Sequence, residues 1–352
     1  MDSVQPGMVV GKTIYGEHSK VLLAKGVALT ERYIRGLKEH GIMSLYITVE
    51  TLGGIEIDEA ISEQTRLESV RLTREIFTNV KINTKMNIQK VTKMVDRIVE
   101  EILTRQNFVQ SLVDIRALNN YTFAHSVNVT VLALITGIGL GYAHDKLKQL
   151  AIGALFHDIG KIMLPGYLMV KAGELTGDEA AELQKHAETG FELLRKIDGV
   201  GLLSAHVAFQ HHECFDGTGY PRRLHSNGIN EYARIVGVAD SYDNLTSDRP
   251  GRPRLYPQQA VEYLILHSGT VFDPEIVKSF IDYIAIFPVG TMVSLNSGDR
   301  GVVVKAHKGF PTRPVVRIIK DRDGGTLNPP FEIDLLDKHV YFLTGALSEE
   351  EF

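Results

Sequence analysis

The spacing of hydrophobic and polar positions divides the chain into segments of different character. Over 7–49, short apolar runs surround a glycine turn at Gly26 and a helical pattern at 31–40, which predicts a small α+β module. From about 57 to 105 the chain becomes charged, and apolar residues recur at helical spacing through 88–102. That helix could connect two domains, or it could pair with a second copy of the chain in a homodimer.

The pattern over 108–286 is helical nearly everywhere, and glycine and proline fall at the junctions between apolar runs. This pattern predicts a compact all-α domain. After Pro288, short alternating runs and a turn at 323–325 predict a small β-barrel or sandwich. The predicted fold class is therefore mainly α, an all-α helical bundle with a small α+β N-terminal module and a small β C-terminal domain. The predicted boundaries are 1–56 for the N-terminal module, 57–107 for a helical linker, 108–287 for the all-α domain and 288–352 for the β domain.

The composition fits a globular protein without an extended basic surface. Of the 352 residues, 44% are hydrophobic, which is enough for more than one buried core. The formal net charge is -5, from 38 basic and 43 acidic residues, so no global positive field favours duplex nucleic acid or an anionic membrane. Basic residues near the C-terminus alternate with acidic ones, and we expect a solvated domain there with no nucleic-acid partner.

Three features predict a cytoplasmic protein. Cys214 is the single cysteine, which excludes an intramolecular disulfide and fits a reducing compartment. The first residues lack the basic and apolar regions of a signal peptide. The apolar stretch 126–143 is interrupted by Asn128, Thr130 and glycines, so we expect a buried helix and no membrane insertion.

Two polar clusters interrupt the predicted all-α domain. In the first, His157 and Asp158 follow an amphipathic helix predicted over 145–156 and precede Gly160. Side chains at a helix end can point into one cavity, so the imidazole could bind one metal ion and the carboxylate could bridge to another. Taken alone, such a pair is more often a helix C-terminus with a favourable histidine and a solvated aspartate.

The second cluster changes that balance. His211 and His212 follow another apolar helical run, and a glycine-rich loop with Tyr220 and Pro221 comes directly after them. Two adjacent surface imidazoles would not need such a loop. Further candidate ligands are His125, His186 and Asp240. Together the candidates supply five imidazoles and two carboxylates, a nitrogen and oxygen set that suits iron, manganese, zinc or similar divalent ions.

This combination of motifs resembles the HD-GYP subgroup of the HD-domain phosphohydrolases, over roughly 125–281. The motifs that carry the resemblance lie at 157–161, 211–213, 216–217, 219–221 and Asp240. The resemblance implies a bacterial phosphodiesterase that acts on cyclic di-GMP and binds two divalent ions. It implies that one ion binds His125, His157, Asp158 and Asp240, and that the other binds Asp158, His186, His211 and His212. Iron or manganese is expected first, and zinc, nickel, cobalt or magnesium are alternatives.

The chain departs from the subgroup at three positions. Some members carry a glutamate one helical turn before the first histidine, which adds a third metal, but this chain has Tyr121 there. A neutral phenol is a poor ligand for a divalent ion, so we expect two ions. Cys214 stands where a basic residue is common, and we expect no redox role for it. Gly251 replaces an aromatic residue in the segment 249–254, so this loop lacks one side chain that could contact a substrate.

The resemblance and the residue chemistry together suggest a mechanism. Two ions that share a water lower its pKa, and the bridging hydroxide would attack the phosphorus of the cyclic dinucleotide to give linear pGpG. A second round of hydrolysis could give GMP. Lys161 could reach a phosphate oxygen, or it could simply complement the helix dipole. Arg249 and Arg252 could clamp the second phosphate, or they could be solvated loop residues. Gly219 permits close approach of the ligand, and Tyr220 could stack on guanine, reach a phosphate or only shape the loop.

Two alternative functions remain open at the level of sequence. The first is a phosphohydrolase for a different nucleotide or cyclic dinucleotide, since HD domains share the metal chemistry and differ in the pocket. The second is a sensor or adaptor that binds cyclic di-GMP without turnover. The complete set of ligand positions weighs against the second alternative.

Overall fold

The computed structural model describes residues 4–16, 20–40, 42, 45–48, 59–81, 86–105, 121–171, 175–247, 254–348 and 351–352. The chain divides into two compact units. The first unit takes in Met1–Ala60 and Ile281–Phe352, and the second takes in Ile61–Gln106 and Asn120–Phe280.

The N-terminal part of the first unit is an α+β module, as predicted. Its elements are β1 (Val9–Val10), β2 (Ile14–Tyr15), β3 (Val21–Leu23), α1 (Glu31–Glu39) and β4 (Ile47–Thr48). Strand β1 pairs antiparallel with β4, and β2 pairs antiparallel with β3. Helix α1 begins after Thr30, whose hydroxyl oxygen accepts the N–H of Tyr33 at 3.2 Å. Val10, Ile14 and Leu29 are at most 2% exposed and form part of a small apolar core.

The C-terminal part of the first unit is a five-stranded antiparallel sheet. Its strands are β5 (Met292–Leu295), β6 (Arg300–Lys305), β7 (Val315–Lys320), β8 (Thr326–Asp334) and β9 (Leu343–Ala346). The strand order is β8-β7-β6-β5-β9, so β8 and β9 form the edges. The turn predicted at 323–325 connects β7 to β8, and Gly324 adopts a φ of +85° there. The described residues of this part form one sheet, so the small β domain is confirmed, whereas a sandwich of two sheets is not formed.

The second unit begins with two helices, α2 (Glu63–Lys81) and α3 (Ile88–Thr104), in the segment predicted as a helical linker. Glu101 of α3 accepts the backbone N–H of Ser62 at 2.7 Å and the hydroxyl of Thr65, which ties the start of α2 to α3. The apolar positions predicted over 88–102 are buried on one side of α3. Within the unit, these helices pack with those that carry the candidate ligands, and the domain boundaries at 56 and 107 stay predictions.

The rest of the second unit is helical, which confirms the mainly α fold class. The helices that follow α3 are α4 (Tyr121–Gly139), α5 (His144–Leu155), α6 (Tyr167–Val170), α7 (Gly177–Leu194), α8 (Leu202–Gln210), α9 (Glu231–Thr246), α10 (Pro257–Leu266) and α11 (Pro274–Ile281). A 3-10 turn at Ile159–Met163 follows α5. Helix α7 begins with a capping box, in which Thr176 and Glu179 satisfy each other's backbone N–H groups.

Helix α4 is the central helix of this unit. Most of its residues are buried, and Val127, Val131 and Leu134 are completely buried, which is typical of a helix surrounded by protein. Among the described residues, the 18-residue stretch Thr122–Gly139 has the length and composition of a membrane span, but 78% of it is buried inside the protein. The predicted role of this stretch as a buried helix is therefore supported, and the stretch carries His125.

Candidate metal centre

Three candidate imidazoles are oriented by the helices that carry them. The Nδ1 atoms of His157, His186 and His211 lie 2.7, 2.6 and 3.1 Å from the carbonyl oxygens of the residues three positions earlier. His157 follows the end of α5 and His211 ends α8, where helix carbonyls lack intrahelical partners. Because the Nδ1–H group donates to these carbonyls, the Nε2 atom of each ring is left as a ligand.

His125 is oriented by a side chain instead. Its Nδ1 lies 2.7 Å from Oδ2 of Asp243 on α9, so Nε2 again points into the site. The same helix supplies Asp240, whose Oδ1 lies 3.0 Å from His125 Nε2 and 3.6 Å from His157 Nε2. Asn244 donates to Asp240 Oδ1 at 2.9 Å. These contacts place Asp240 beside the two imidazoles that the sequence assigned to the same ion.

Asp158 lies between two groups of imidazoles, and each of its oxygens faces one group. Oδ1 is 3.5 Å from His186 Nε2 and 3.6 Å from His211 Nε2. Oδ2 is 3.7 Å from His125 Nε2 and 3.5 Å from His157 Nε2. One carboxylate can therefore bind two ions, one through each oxygen.

Two clusters of donor atoms are compact enough to hold an ion. Each offers one ligand atom per residue, and the atoms in a cluster lie within 4.8 Å of one another. The clusters share one residue and consist of Asp158, His186, His211 and His212 in one case, and of His125, His157 and Asp158 in the other. Asp240 adds a second carboxylate to the smaller cluster.

The donor atoms fit divalent ions. Ligands about 2.0–2.2 Å from a common ion lie roughly 3–3.5 Å apart. The Nε2 atoms of His186 and His211 are 3.4 Å apart, close to that value. Both rings carry their proton on Nδ1, so a hydrogen bond between the two Nε2 atoms does not explain this distance. His157 Nε2 and Asp158 Oδ1 are buried and lack a hydrogen-bond partner, which is costly unless an ion satisfies them. The buried histidines and aspartates are thus compatible with divalent metal binding.

The electrostatics of the cluster also favour a cation. Burial opposes the charged form of His157, yet the nearby Asp158 carboxylate raises the pKa of this imidazole to about 10. By contrast, burial lowers the pKa of His186 to about 3, and burial also lowers the pKa of His212 well below its ordinary value. The carboxylates therefore attract positive charge, and the imidazoles of His186 and His212 stay neutral and able to bind metal.

Gly160 allows the turn after Asp158 to pass close to helix α7. A Cβ atom at this position would lie 2.0 Å from the carbonyl oxygen of His186 and 2.7 Å from the amide nitrogen of Gly190. This close approach brings Asp158 and His186 together. The glycine of the 157–161 motif is therefore required by backbone packing.

The loop that follows His212 is closed by Glu213. Its carboxylate is 8% exposed and accepts the backbone N–H groups of Arg222 and Leu224 at 2.7 and 2.9 Å. Inside the loop, a Cβ on Gly219 would lie 2.2 Å from the amide nitrogen of Cys214. The sequence suggested Gly219 as a substrate contact, but close packing against the backbone of Cys214 is enough to require glycine at this position.

Tyr220 lies against a candidate ligand. Its ring stacks on the imidazole of His212, with centroids 4.7 Å apart and planes 24° apart. Burial raises the pKa of Tyr220, so its hydroxyl stays protonated and able to donate. The ring supports His212 from one side, a contact that the sequence did not suggest.

Of the other residues named from the sequence, some lie in the described part of the chain and some do not. Nζ of Lys161 lies 2.5 Å from Asp158 Oδ2, which places the lysine at the site. Burial raises the pKa of the half-buried Cys214, in keeping with an unreactive thiol. Arg249, Arg252 and the side chain of Tyr121 lie outside the described residues, so the clamp on the second phosphate and the absence of a third metal stay predictions.

Several residues that hold the ligands were not identified from the sequence. Asn128 lies one turn after His125 and Asp243 one turn after Asp240, and this spacing on apolar helices is a signal that could have revealed them. Both are buried. Arg66 belongs to α2 and had no such signal, because only the packing of α2 on α4 brings it close.

The comparison with known proteins gives the family. Residues 104–276 match the family model of the HD domain, and residues 292–352 match that of a KOW domain associated with HD domain. The cyclic di-GMP phosphodiesterase PA4108 of Pseudomonas aeruginosa is 31% identical over 265 residues, which are 74% of this chain and 64% of the relative. The 3'3'-cGAMP-specific phosphodiesterase 2 of Vibrio cholerae is 28% identical over 229 residues, which are 64% of this chain and 43% of the relative.

A solved structure covers more of the chain at lower identity. Bd1817, an HDG"Y"P protein from Bdellovibrio bacteriovorus, is 18% identical, with a TM-score of 0.49 over 80% of this chain and 96% of that one.

The chain spans less than two thirds of the length of the two phosphodiesterases, at 64% and 43%. The family model, the relatives and the ligand motifs agree, and the chain therefore belongs to the HD-domain family, as its resemblance to the HD-GYP subgroup indicated.

Proposed function

We propose that the chain is a metal-dependent phosphodiesterase that hydrolyses cyclic di-GMP to linear pGpG and then to GMP. The observation that carries this proposal is the position of Asp158, whose two oxygens face two separate groups of imidazole Nε2 atoms. A carboxylate shared in this way is the arrangement of a two-metal site for phosphate ester hydrolysis.

The proposed ligand sets follow the two clusters. One ion is held by His125, His157, Asp158 and Asp240, and the other by Asp158, His186, His211 and His212. Bound there, two divalent ions supply a Lewis acid that activates water and offsets the negative charge developing on the phosphate. Iron or manganese suits this set best, because the ligand atoms are imidazole nitrogens and carboxylate oxygens and no thiolate takes part.

The protein's own residues prepare the site for a phosphodiester. The fixed Nδ1–H groups of three histidines hold the Nε2 atoms in place without reorganisation. The ammonium group of Lys161 lies next to Asp158 and is 24% exposed, so it can donate to a phosphate oxygen that approaches the ions. Hydrolysis adds water across one P–O3′ bond, and the 3′-oxygen leaves with a proton from solvent.

The choice of substrate rests on the relatives. PA4108 of Pseudomonas aeruginosa is named for cyclic di-GMP. Its match to this chain is the longer of the two, at 74% of this chain against 64%. The Vibrio protein is named for 3'3'-cGAMP, which keeps a second cyclic dinucleotide as the alternative substrate. A cytoplasmic location and a homodimer remain predictions from the sequence, as do Arg249 and Arg252 as phosphate clamps.

The test is product analysis with a matched variant. Anaerobically purified protein loaded with Fe²⁺ or Mn²⁺ is incubated with cyclic di-GMP or with 3'3'-cGAMP, and the products are separated by chromatography. Wild type is expected to produce pGpG and GMP from cyclic di-GMP, whereas Asp158→Asn, which keeps the side-chain shape, is expected to produce neither. Faster turnover of 3'3'-cGAMP would favour the alternative substrate.

The sensor alternative is tested with the same samples. If two ions per chain are measured and neither cyclic dinucleotide is hydrolysed, the phosphodiesterase proposal is wrong. Equilibrium dialysis with labelled cyclic di-GMP then shows whether the chain binds it without turnover.

A further inference from the structure

A buried chain of polar side chains runs from helix α2 to the candidate metal ligand His125. Nη1 of Arg66 donates to Oδ1 of Asn128 at 2.5 Å, and Nδ2 of Asn128 donates to Oδ1 of Asp243 at 3.1 Å. Oδ2 of Asp243 accepts the Nδ1–H of His125 at 2.7 Å. All four residues are at most 7% exposed. The chain therefore connects α2, α4 and α9 at the edge of the metal centre.

The donors and acceptors of this chain can be arranged in one direction only. A guanidinium group has donors and no acceptor, so the oxygen of the Asn128 amide must face Arg66 and its NH₂ group must face Asp243. An ionised carboxylate only accepts, so Asp243 must receive its second hydrogen from His125 Nδ1. The tautomer that leaves His125 Nε2 free for a metal ion is thus set by the Asp243 carboxylate, and Arg66 fixes the orientation of the Asn128 amide that positions this carboxylate.

His125 differs in this respect from the other oriented ligands. The Nδ1 atoms of His157, His186 and His211 bond to backbone carbonyls of their own helices. Those contacts persist as long as each helix is intact. The contact of His125 depends on a carboxylate from α9 and, through Asn128, on a cation from α2.

The buried side of α2 near Arg66 is mostly polar. Thr65, Ser69 and Thr73 are at most 1% exposed on the same helix. Near Arg66 this surface gains little from hydrophobic burial and depends on hydrogen bonds, whereas Ile76 and Phe77 bury apolar surface toward the end of α2. Arg66 also precedes residues 104–276, which match the HD domain, so it lies outside the conventional domain.

We propose that Arg66 is a positioning residue for the metal ligand His125, acting through Asn128 and Asp243, and that helix α2 is therefore part of the metal centre. This inference rests on the proposed metal-dependent function. It identifies the route by which a displacement of α2 changes the occupancy of one metal position. The other position shares Asp158 with this one, but its ligands His186 and His211 are oriented by carbonyls of their own helices.

The test is titration of the metal-free full-length protein with Mn²⁺, with free Mn²⁺ measured by electron paramagnetic resonance. Arg66→Met removes the donors and keeps a long side chain. It is expected to weaken the binding of one ion about tenfold, the lower end of the effect of residues that hold metal ligands, and to leave the other ion unchanged. Arg66→Lys, which retains a donor and a charge, is expected to restore most of the affinity.

The matched control is Thr73→Val on the same helix. Thr73 is buried like Arg66, but its hydroxyl donates to the carbonyl of Ser69 in α2, at 2.8 Å. This substitution is expected to leave both Mn²⁺ affinities unchanged. An equal loss of affinity in Thr73→Val and Arg66→Met would mean that only the packing of α2 matters, and the proposal would be wrong.

A second variant cuts the chain at another link. Asn128→Leu is expected to lower the affinity for the same Mn²⁺ ion by the same factor. The double variant Arg66→Met, Asn128→Leu is expected to bind this ion as well as either single variant, because both substitutions interrupt one hydrogen-bond chain. Additive losses would overturn the proposal. Asn128→Leu also decides the question if Arg66→Met does not fold.

The tautomer of His125 gives a readout that needs no metal. In the ¹⁵N-histidine-labelled metal-free protein, two-bond ¹⁵N–¹H spectra should show His125 with its proton on Nδ1, and in Arg66→Met this signal should become a mixture of tautomers. An unchanged signal in the variant contradicts the inference. If wild type shows this tautomer but binds no Mn²⁺, the proposed function fails, and the hydrogen-bond chain retains only its effect on the ring.

Discussion

Nζ of Lys161 lies 2.5 Å from Oδ2 of Asp158, the carboxylate oxygen that also faces His125 and His157. The lysine therefore stands beside the one residue that both metal-ligand clusters share. Its charge compensates part of the carboxylate charge, and the same charge is available to a substrate phosphate. These two roles predict opposite effects on metal binding and on turnover.

Replacing Lys161 with methionine is expected to lower kcat for cyclic di-GMP about a hundredfold, because a charge that stabilises the transition state is lost. The affinity for metal ions is expected to stay equal or to increase, since a competing cation next to Asp158 is removed. Steady-state kinetics and elemental analysis measure the two quantities. Loss of metal in Lys161→Met would show that the lysine holds Asp158 in place and has no separate role in turnover.

Substitutions of the ligands should differ in the number of ions that they remove. His125→Ala and His212→Ala each change one cluster, so each is expected to retain one ion per chain. Asp158→Asn changes both clusters and is expected to retain none, because a neutral amide replaces the shared carboxylate. Elemental analysis after gel filtration counts the ions. Two ions retained in Asp158→Asn would contradict the shared site.

Gly160→Ala is expected to destabilise the second unit by about 3 kcal/mol, because the added methyl group would lie 2.0 Å from the His186 carbonyl oxygen. The midpoint of thermal unfolding should fall by roughly 10 °C. Gly166→Ala is the control, since its Cβ meets no atom within 4 Å and its φ of -59° suits alanine. The control should be neutral or slightly stabilising. Equal midpoints for both variants would exclude the packing role of Gly160.

Glu213→Gln is expected to loosen the loop over 214–221, since an amide has one oxygen to accept the two N–H groups that the carboxylate now accepts. The cost is about 1–3 kcal/mol, because one buried N–H group loses its partner. We expect a higher KM for the dinucleotide with two ions retained. Glu192→Gln, which changes an exposed pair with Arg195, should leave KM unchanged. A lower metal content with normal KM would assign Glu213 to the metal ligands instead.

Much of the fold followed from local patterns. The helical spacing over 88–102 and the turn at 323–325 depend on neighbours in sequence, and the structure has elements at these places. The helix predicted over 145–156 appears as His144–Leu155. The alternating runs at 291–295, 301–306 and 314–319 appear as the strands Met292–Leu295, Arg300–Lys305 and Val315–Lys320. The pattern could not show that the charged segment after 57 forms two helices, because the segment between them, at 82–87, has no strong breaker.

The sequence by itself determined the chemistry of the site, because the kind of donor atom depends only on residue type. Imidazoles and carboxylates at helix ends, beside glycine, indicated a metal centre before any contact was known. Only the tertiary structure decided how these groups are used. The contact of Asp243 with His125 joins residues 118 positions apart, and the contact of Arg66 with Asn128 joins residues 62 apart. Such contacts depend on how helices pack, and no pattern of neighbouring residues encodes that packing.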